Sequence, residues 1–353
     1  MLLAQRGHEV HFVSYAHPFR LPRFMRNTYF HEIEVSRYPL FEYPPYSLAA
    51  TVAMHEVATQ RHLDLFHVHY AVPHATSAWL AKQMLEEPDD LKILTTLHGT
   101  DITLVGQDPS YRSIVKFSIE RSDGLTAVSE FLKKETVAAF GCTGCDVRVI
   151  PNFIDTQQFG RNPNSRHRNA LAEPNEKIIM HISNFRPVKR VGDVVRVAAR
   201  VMEKVPARLI LVGDGPDRPM AEERARNLGM DDRVVFLGKQ ESVGELLACA
   251  DLFLLPSESE SFGLSALEAM ASEVPVVGTR CGGLEEIIED GHTGRLLAVG
   301  AVDGMAEAAT EILSDPDLQR EMGAAARAKA EANYSTEKIR EMYESYYEEV
   351  LDR

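Results

Sequence analysis

The sequence predicts an α/β protein made of two doubly wound domains with parallel sheets. Three observations carry that expectation. Short apolar runs alternate with amphipathic helical segments along nearly the whole chain, the pattern of strands joined by crossover helices. The 353 residues give room for two separate hydrophobic cores. Residues 151–168 interrupt the alternation with prolines and asparagines and little apolar periodicity, as a linker does. The expected layout is a first domain over residues 1–155, a second over 156–335 and a final helix over 336–353.

Composition narrows the function classes. The chain is 44% hydrophobic and 25% charged, which is ordinary for a globular protein. A net charge of −14, from 38 basic and 52 acidic residues, argues against broad nucleic-acid binding, which needs a basic face. No apolar run reaches the ~18 residues of a membrane span, so no stable membrane insertion is expected. The first residues turn polar too quickly for a signal peptide. Four cysteines make no disulfide framework and fit a reducing cytoplasm. Cys142-Thr143-Gly144-Cys145 is formally a C-x-x-C, but no second pair and no histidine at zinc spacing accompany it. It reads as an ordinary loop, and no metal site is expected. Oligomeric state is not legible, so a homodimer stays open.

The elements follow in order. Residues 1–5 read as the end of a helix, with Gly7 as its C-cap. In an α/β chain a strand and a turn precede such a helix, so about 25–30 residues are expected to be missing before it. Strands are expected at 10–14, 31–35, 65–69, 92–97, 125–128 and 147–150, and helices at 47–61, 75–85, 111–120 and 130–140, the last capped by Ser129. His17 to Arg26 mixes basic and aromatic residues, but its prolines break any amphipathic helix, so it reads as a solvated loop. The second half gives strands at 178–182, 208–212, 234–237, 252–255 and 276–279. Its helices start at 191, 243 and near 261, and three more cover 302–313, 317–332 and 336–350.

Ligands of doubly wound sheets bind at the carboxyl ends of strands, so candidates are sought there. After strand 252–255 comes Pro256-Ser257-Glu258-Ser259-Glu260-Ser261-Phe262-Gly263-Leu264, then a helix that Ser261 or a neighbour can cap. A helix start offers free N–H groups to an anion such as a diphosphate, and Gly263 permits close backbone approach. Glu260 and Glu268 stand with seven residues between them, and carboxylates accept paired hydrogen bonds from diols. Taken alone, two such glutamates read first as a solvated helix face. After strand 178–182, Arg186, Lys189 and Arg190 precede a helix, as suits a diphosphate. Gly213-Asp214-Gly215-Pro216 is a further glycine turn, weak evidence by itself. In the first half, His67, His69 and His74 cluster at one strand end and His98-Gly99-Thr100-Asp101 at the next. A histidine there serves a ligand or the fold with equal ease on position alone. No acidic residue joins the first cluster, which counts against metal.

Glu260 and Glu268 with Phe-Gly-Leu between them, then Leu-Glu-Ala-Met-Ala and Val-Pro-Val-Val at 274–277, resemble the retaining GT-B glycosyltransferases of the family-four group. His98-Gly99-Thr100-Asp101-Ile102-Thr103 is similar to the same group's sugar-contacting histidine loop. With His69-Tyr70-Ala71-Val72-Pro73-His74 upstream and Pro151-Asn152-Phe153-Ile154-Asp155 downstream, it is similar to the subgroup that makes N-acetylglucosaminyl L-malate, the first step of bacillithiol synthesis.

The resemblance implies two Rossmann-like domains facing a cleft, with the C-terminal helix crossing back to the first. It implies UDP-N-acetylglucosamine as donor, L-malate as acceptor, and no metal or other cofactor. His98 and Glu260 would be the catalytic pair, His98 at the sugar's 6-hydroxyl and Glu260 orienting the sugar. Arg186, Lys189, Gly213, Phe262, Gly263, Leu264 and Glu268 would bind the donor, with Glu268 on the ribose. Tyr70 and Thr96 would bind the acceptor, Arg112 and Lys116 being weaker candidates. The group places an arginine five residues before the lysine, where this chain has Asn184, so Arg186 would take that role. The group's first strand and glycine-rich loop are expected to be missing.

Overall fold

The computed structural model describes residues 1–18, 21–35, 42–141, 145–162 and 166–353. The chain forms two compact units, one of Met1–Ile150 with Arg340–Arg353, the other of Pro151–Ile339. Phe19 and Arg20 of the basic–aromatic stretch, and Cys142 to Gly144 of the C-x-x-C, lie outside the described residues.

The first unit opens with α1 (Leu2–Gln5), β1 (Val10–Ser14) and β2 (Thr28–Glu32). Next come α2 (Tyr46–Arg61), β3 (Leu65–His69), α3 (Thr76–Gln83), β4 (Lys92–Leu97), α4 (Pro109–Glu120), β5 (Gly124–Ala127), α5 (Glu130–Phe140) and β6 (Val147–Val149). All pairings are parallel, but in two pieces: β1–β2, and β3-β4-β5-β6. No described strand bridges β1 to β3, although Val13 of β1 packs on the cluster holding Phe66 and Val68 of β3. The second strand starts three residues earlier than the expected strand at 31–35. Val10 N–H bonds the carbonyl of Asn27, whose positive φ ends the turn and sets the register Val10 opposite Thr28. Ser129 caps α5 as expected, its hydroxyl accepting from Leu132 N–H at 3.0 Å.

The second unit contains α6 (Arg166–Leu171), β7 (Lys177–Ile182), α7 (Val191–Val201), β8 (Ala207–Val212), α8 (Arg218–Asn227), β9 (Val234–Gly238) and α9 (Gly244–Leu247). Then follow β10 (Leu252–Leu255), α10 (Leu264–Ala271), β11 (Val276–Thr279), α11 (Leu284–Ile287), β12 (Gly294–Leu297), α12 (Val302–Ser314), α13 (Pro316–Tyr334) and α14 (Thr336–Leu351). Its six strands form one parallel sheet in the order β12-β11-β10-β7-β8-β9. Helix α7 buries Val191, Val194, Val195, Ala198 and Val201 against it. Each fully buried valine contributes about 1.5–3 kcal/mol, so this face alone anchors the helix that carries the cationic turn.

One feature departs from the sequence reading, and the final helix follows it. The stretch after Pro151 is no free linker. Arg327 on α13 donates to the carbonyls of Thr156, Phe159 and Ala271, and Ile154 N–H bonds Tyr334 O at 2.9 Å. The final helix α14 begins in the second unit and ends in the first. There Tyr346 is fully buried, its hydroxyl bonded to both the N–H and the carbonyl of Leu125. A Cβ on Gly124 would stand 2.6 Å from Val350, so the helix lies directly on the start of β5.

Candidate active site

In the second unit three strand ends meet. The loop after β7 is locked from beneath by His181, fully buried between Phe185 and Phe253. Its Nδ1 lies 2.8 Å from Leu254 O, which can only accept, so Nδ1 carries the proton. Nε2 then accepts from the Ser183 hydroxyl at 2.8 Å, and Ser183 Oγ accepts in turn from Phe185 N–H. Burial pulls the ring down to about 4, so it stays neutral. The loop after β8 presses on the same backbone. A Cβ on Gly213, at φ +117°, would stand 1.8 Å from Ser183 O, and one on Gly215 2.0 Å from Asn184 O.

The three cations of the β7 loop have different fates. Arg190 is committed to Asp193 at the start of α7, at 2.6 Å. Lys189 reaches the segment after β10 and bonds Glu260 Oε1 at 2.6 Å. Arg186 is exposed and makes no ion pair among the described residues. The two loops are also tied through backbone, Glu258 N–H to Val188 O at 2.8 Å.

Glu260 is 9% exposed and accepts a second bond on Oε1 from Ser257 Oγ at 2.7 Å. Ser257 is itself fully buried; its carbonyl accepts from the Thr279 hydroxyl and from Cys281 Sγ. Burial pushes the Cys281 thiol up, so it stays protonated. Helix α10 starts from Gly263, at φ +94°, and no side chain caps it. A helix start whose N-cap is a glycine can offer backbone N–H groups to an anion. Glu268 lies buried two turns along the segment. Cations, helix N–H groups and inward carboxylates together can neutralise a diphosphate and hold hydroxyls.

In the first unit the ends of β3 and β4 carry a histidine cluster. His69 Nδ1 and His98 Nε2 are 2.8 Å apart, and desolvation pulls each ring down to about 4. Asp101 fastens this region. Its carboxylate accepts from Ala71 N–H at 3.1 Å, Gly99 N–H at 2.9 Å and His98 N–H at 3.3 Å. One buried side chain thus holds the loop bearing Tyr70 and the loop bearing His98. Burial raises its pKa, and the three N–H groups act against that rise. Tyr70 sits at φ +74°, partly exposed, its ring 4.9 Å from that of His98. His67 faces inward, its Nδ1 2.7 Å from the Tyr347 hydroxyl and its Nε2 2.7 Å from Thr96 Oγ1. Burial lowers its pKa well below the ordinary histidine value.

Comparison with known proteins agrees with this architecture. The family model for glycosyltransferase family 4 matches residues 2–158, and that for glycosyl transferases group 1 matches residues 164–329. The N-acetyl-alpha-D-glucosaminyl L-malate synthase of Bacillus anthracis is 49% identical over 350 residues, covering 99% of this chain and 91% of that protein. The chain is a family-four glycosyltransferase with the GT-B fold. The D-inositol 3-phosphate glycosyltransferase of Nocardia farcinica is 32% identical over 282 residues, 76% of this chain and 62% of that protein. Among solved structures, a sucrose-phosphate synthase from Thermosynechococcus elongatus superposes with a TM-score of 0.81 at 22% identity, covering 99% of this chain and 91% of that one.

The glycosyltransferase brings Lys189, Glu260 and Gly213 onto adjoining loops, with Arg186 exposed on the same turn. Leu264 is exposed at the helix start, whereas Phe262 is buried edge-on against Tyr334 and a Cβ on Gly263 would collide with Leu284. These two residues can offer a ligand backbone only. Thr96, expected at the acceptor, lies inside the fold of the first unit. It is 1% exposed, and its hydroxyl is shared among His67, Thr126 and Tyr343. Arg112 and Lys116 are bonded to backbone in the same unit. Arg112 donates to Ala139 O and Lys116 to Phe140 O, the carbonyl end of α5. Sequence reasoning missed Ser257 and His181 as members of the constellation, and Asp101 as its fastening. Only Asp101 left a signal, three residues after His98 in a strand-end turn.

Proposed function

We propose that this glycosyltransferase moves N-acetylglucosamine from UDP-N-acetylglucosamine to the hydroxyl of L-malate, with retention of anomeric configuration. The near full-length match to the Bacillus anthracis synthase is the observation that carries this reading. Arg186 and Lys189, with the open start of α10, neutralise the leaving UDP, a role that needs no metal ion. Glu268 holds the ribose and Glu260 orients the transferred sugar. His98 receives a sugar hydroxyl. Its ring is neutral at pH 7, so one nitrogen can accept while the other donates. Tyr70 is the first-unit side chain proposed for the acceptor. The leaving phosphate takes the acceptor's proton, and no covalent nucleophile is assigned. The reading implies a cytoplasmic enzyme at the first step of bacillithiol biosynthesis.

The test is mass-spectrometric detection of N-acetylglucosaminyl malate from UDP-N-acetylglucosamine and L-malate. Inositol 3-phosphate runs as the competing acceptor, because the Nocardia relative is named for it. Product with malate and none with inositol phosphate is expected. The opposite pattern reverses the acceptor assignment, and no product with either, despite UDP binding, defeats the turnover reading.

A further inference from the structure

We infer that Lys189 is handed from Glu260 to the donor's diphosphate, so that carboxylate and nucleotide compete for one cation. The inference rests on the nucleotide-sugar reading above. The Lys189–Glu260 contact of 2.6 Å is built into the fold rather than made by two wandering side chains. The loops bearing the two residues are clamped by the Glu258–Val188 backbone bond at 2.8 Å. Glu260 itself is held by Ser257, at 2.7 Å on the same oxygen.

The neighbouring cations show why Lys189 must change partner. Arg190 is fixed to Asp193. Arg186 is exposed on the same turn, one cation for a group carrying more than one charge. An incoming diphosphate therefore draws Lys189 away from Glu260. Ser257 is fully buried and held by its own neighbours, so it keeps its bond and fixes the carboxylate while the cation leaves. Glu260 then meets the sugar as a carboxylate without its counter-ion, and only when a diphosphate is bound. After transfer, Glu260 reclaims Lys189 and weakens the hold on UDP.

The experiment is calorimetric titration of UDP into the full chain as wild type, Glu260→Gln, Lys189→Met and the double variant. UDP lacks the sugar, so any loss of sugar contacts does not enter. Glu260→Gln is expected to bind UDP about five-fold tighter, and at most about two-fold tighter when Lys189 is already Met. Glu260→Asp keeps the charge but shortens the reach; it should also bind UDP more tightly than wild type. Thermal melting checks that each variant is folded, and the Asp variant carries the test if the Gln variant is not. Equal gains with and without Lys189, or no gain in the folded Gln or Asp variant, overturn the handover. If wild type fails to bind UDP, the nucleotide reading falls and this inference with it.

Discussion

Replacing Gly213 by alanine should disable nucleotide binding while the second unit stays folded. At φ +117° a side chain strains the backbone by about 1–3 kcal/mol. The larger effect is steric. The new Cβ would stand 1.8 Å from Ser183 O, a backbone atom that cannot swing aside. The β7 and β8 loops must part by more than about 1 Å to restore a tolerable contact. Gly215 gives no relief, since its own Cβ position is 2.0 Å from Asn184 O. The displaced loop carries Arg186 and Lys189, and a misplacement of about 1 Å can lower catalysis about 100-fold. Expected results are a UDP affinity at least about ten-fold weaker and kcat/KM down by about 100-fold. Gly229→Ala is the control. Its φ is +65° but nothing lies within 4 Å of the added Cβ, so it should lose only about 1 kcal/mol of stability and keep wild-type kinetics. A folded Gly213→Ala enzyme that binds UDP within two-fold of wild type would refute the claim that this contact sets the cationic loop.

Two other substitutions separate structural from ligand-facing groups. Arg190→Ala should leave UDP affinity unchanged and lose under about 1 kcal/mol of stability, because Arg190 serves Asp193. Arg186→Ala should weaken UDP about ten-fold or more, the loss of one charge-assisted contact; equal effects of the two changes on UDP titrations would contradict this division of labour. The third prediction concerns acid. His181 binds a proton below about pH 4 when folded but near 6.5 when unfolded, so between these values the unfolded chain holds more protons and stability falls as pH falls. Going from pH 7 to pH 5, this residue should remove about 2 kcal/mol. Urea unfolding at both pH values should show wild type losing that much more than His181→Gln, and parallel losses would show that the ring is not the group responsible.

Five of the six strands described in the second unit were legible because each is a short, mostly apolar run bounded by a turn. Leu252–Leu255 and Val276–Thr279 are interior strands of the sheet with every residue buried, which favours mostly apolar sequence. Edge strand β12, Gly294–Leu297, escaped notice for the converse reason: one glycine and one arginine in four residues leave little apolar run to read. Residues 151–162 read as a linker because their backbone bonds are not periodic. The donors come from Arg327, far along the chain, and such a partner leaves no trace in local composition.

The site divides along the same line. Lys189 and Glu260 stood out as candidates because each follows a buried strand, but only the family resemblance gave Glu260 a role. Thr96 shows how little strand-end position alone decides. A polar residue near a strand's carboxyl end looks like a ligand contact, yet β4 is an interior strand with neighbours on both sides. There a hydroxyl is as easily used for bonding within the protein, and Thr96 holds His67, which in turn holds Tyr347 of α14. Position at a strand end marks where function can be; only the hydrogen-bond partners decide which polar groups are left for it. By that criterion Arg186 and Tyr70 remain turned toward solvent, while Arg190, Arg112 and Lys116 are already engaged by the fold.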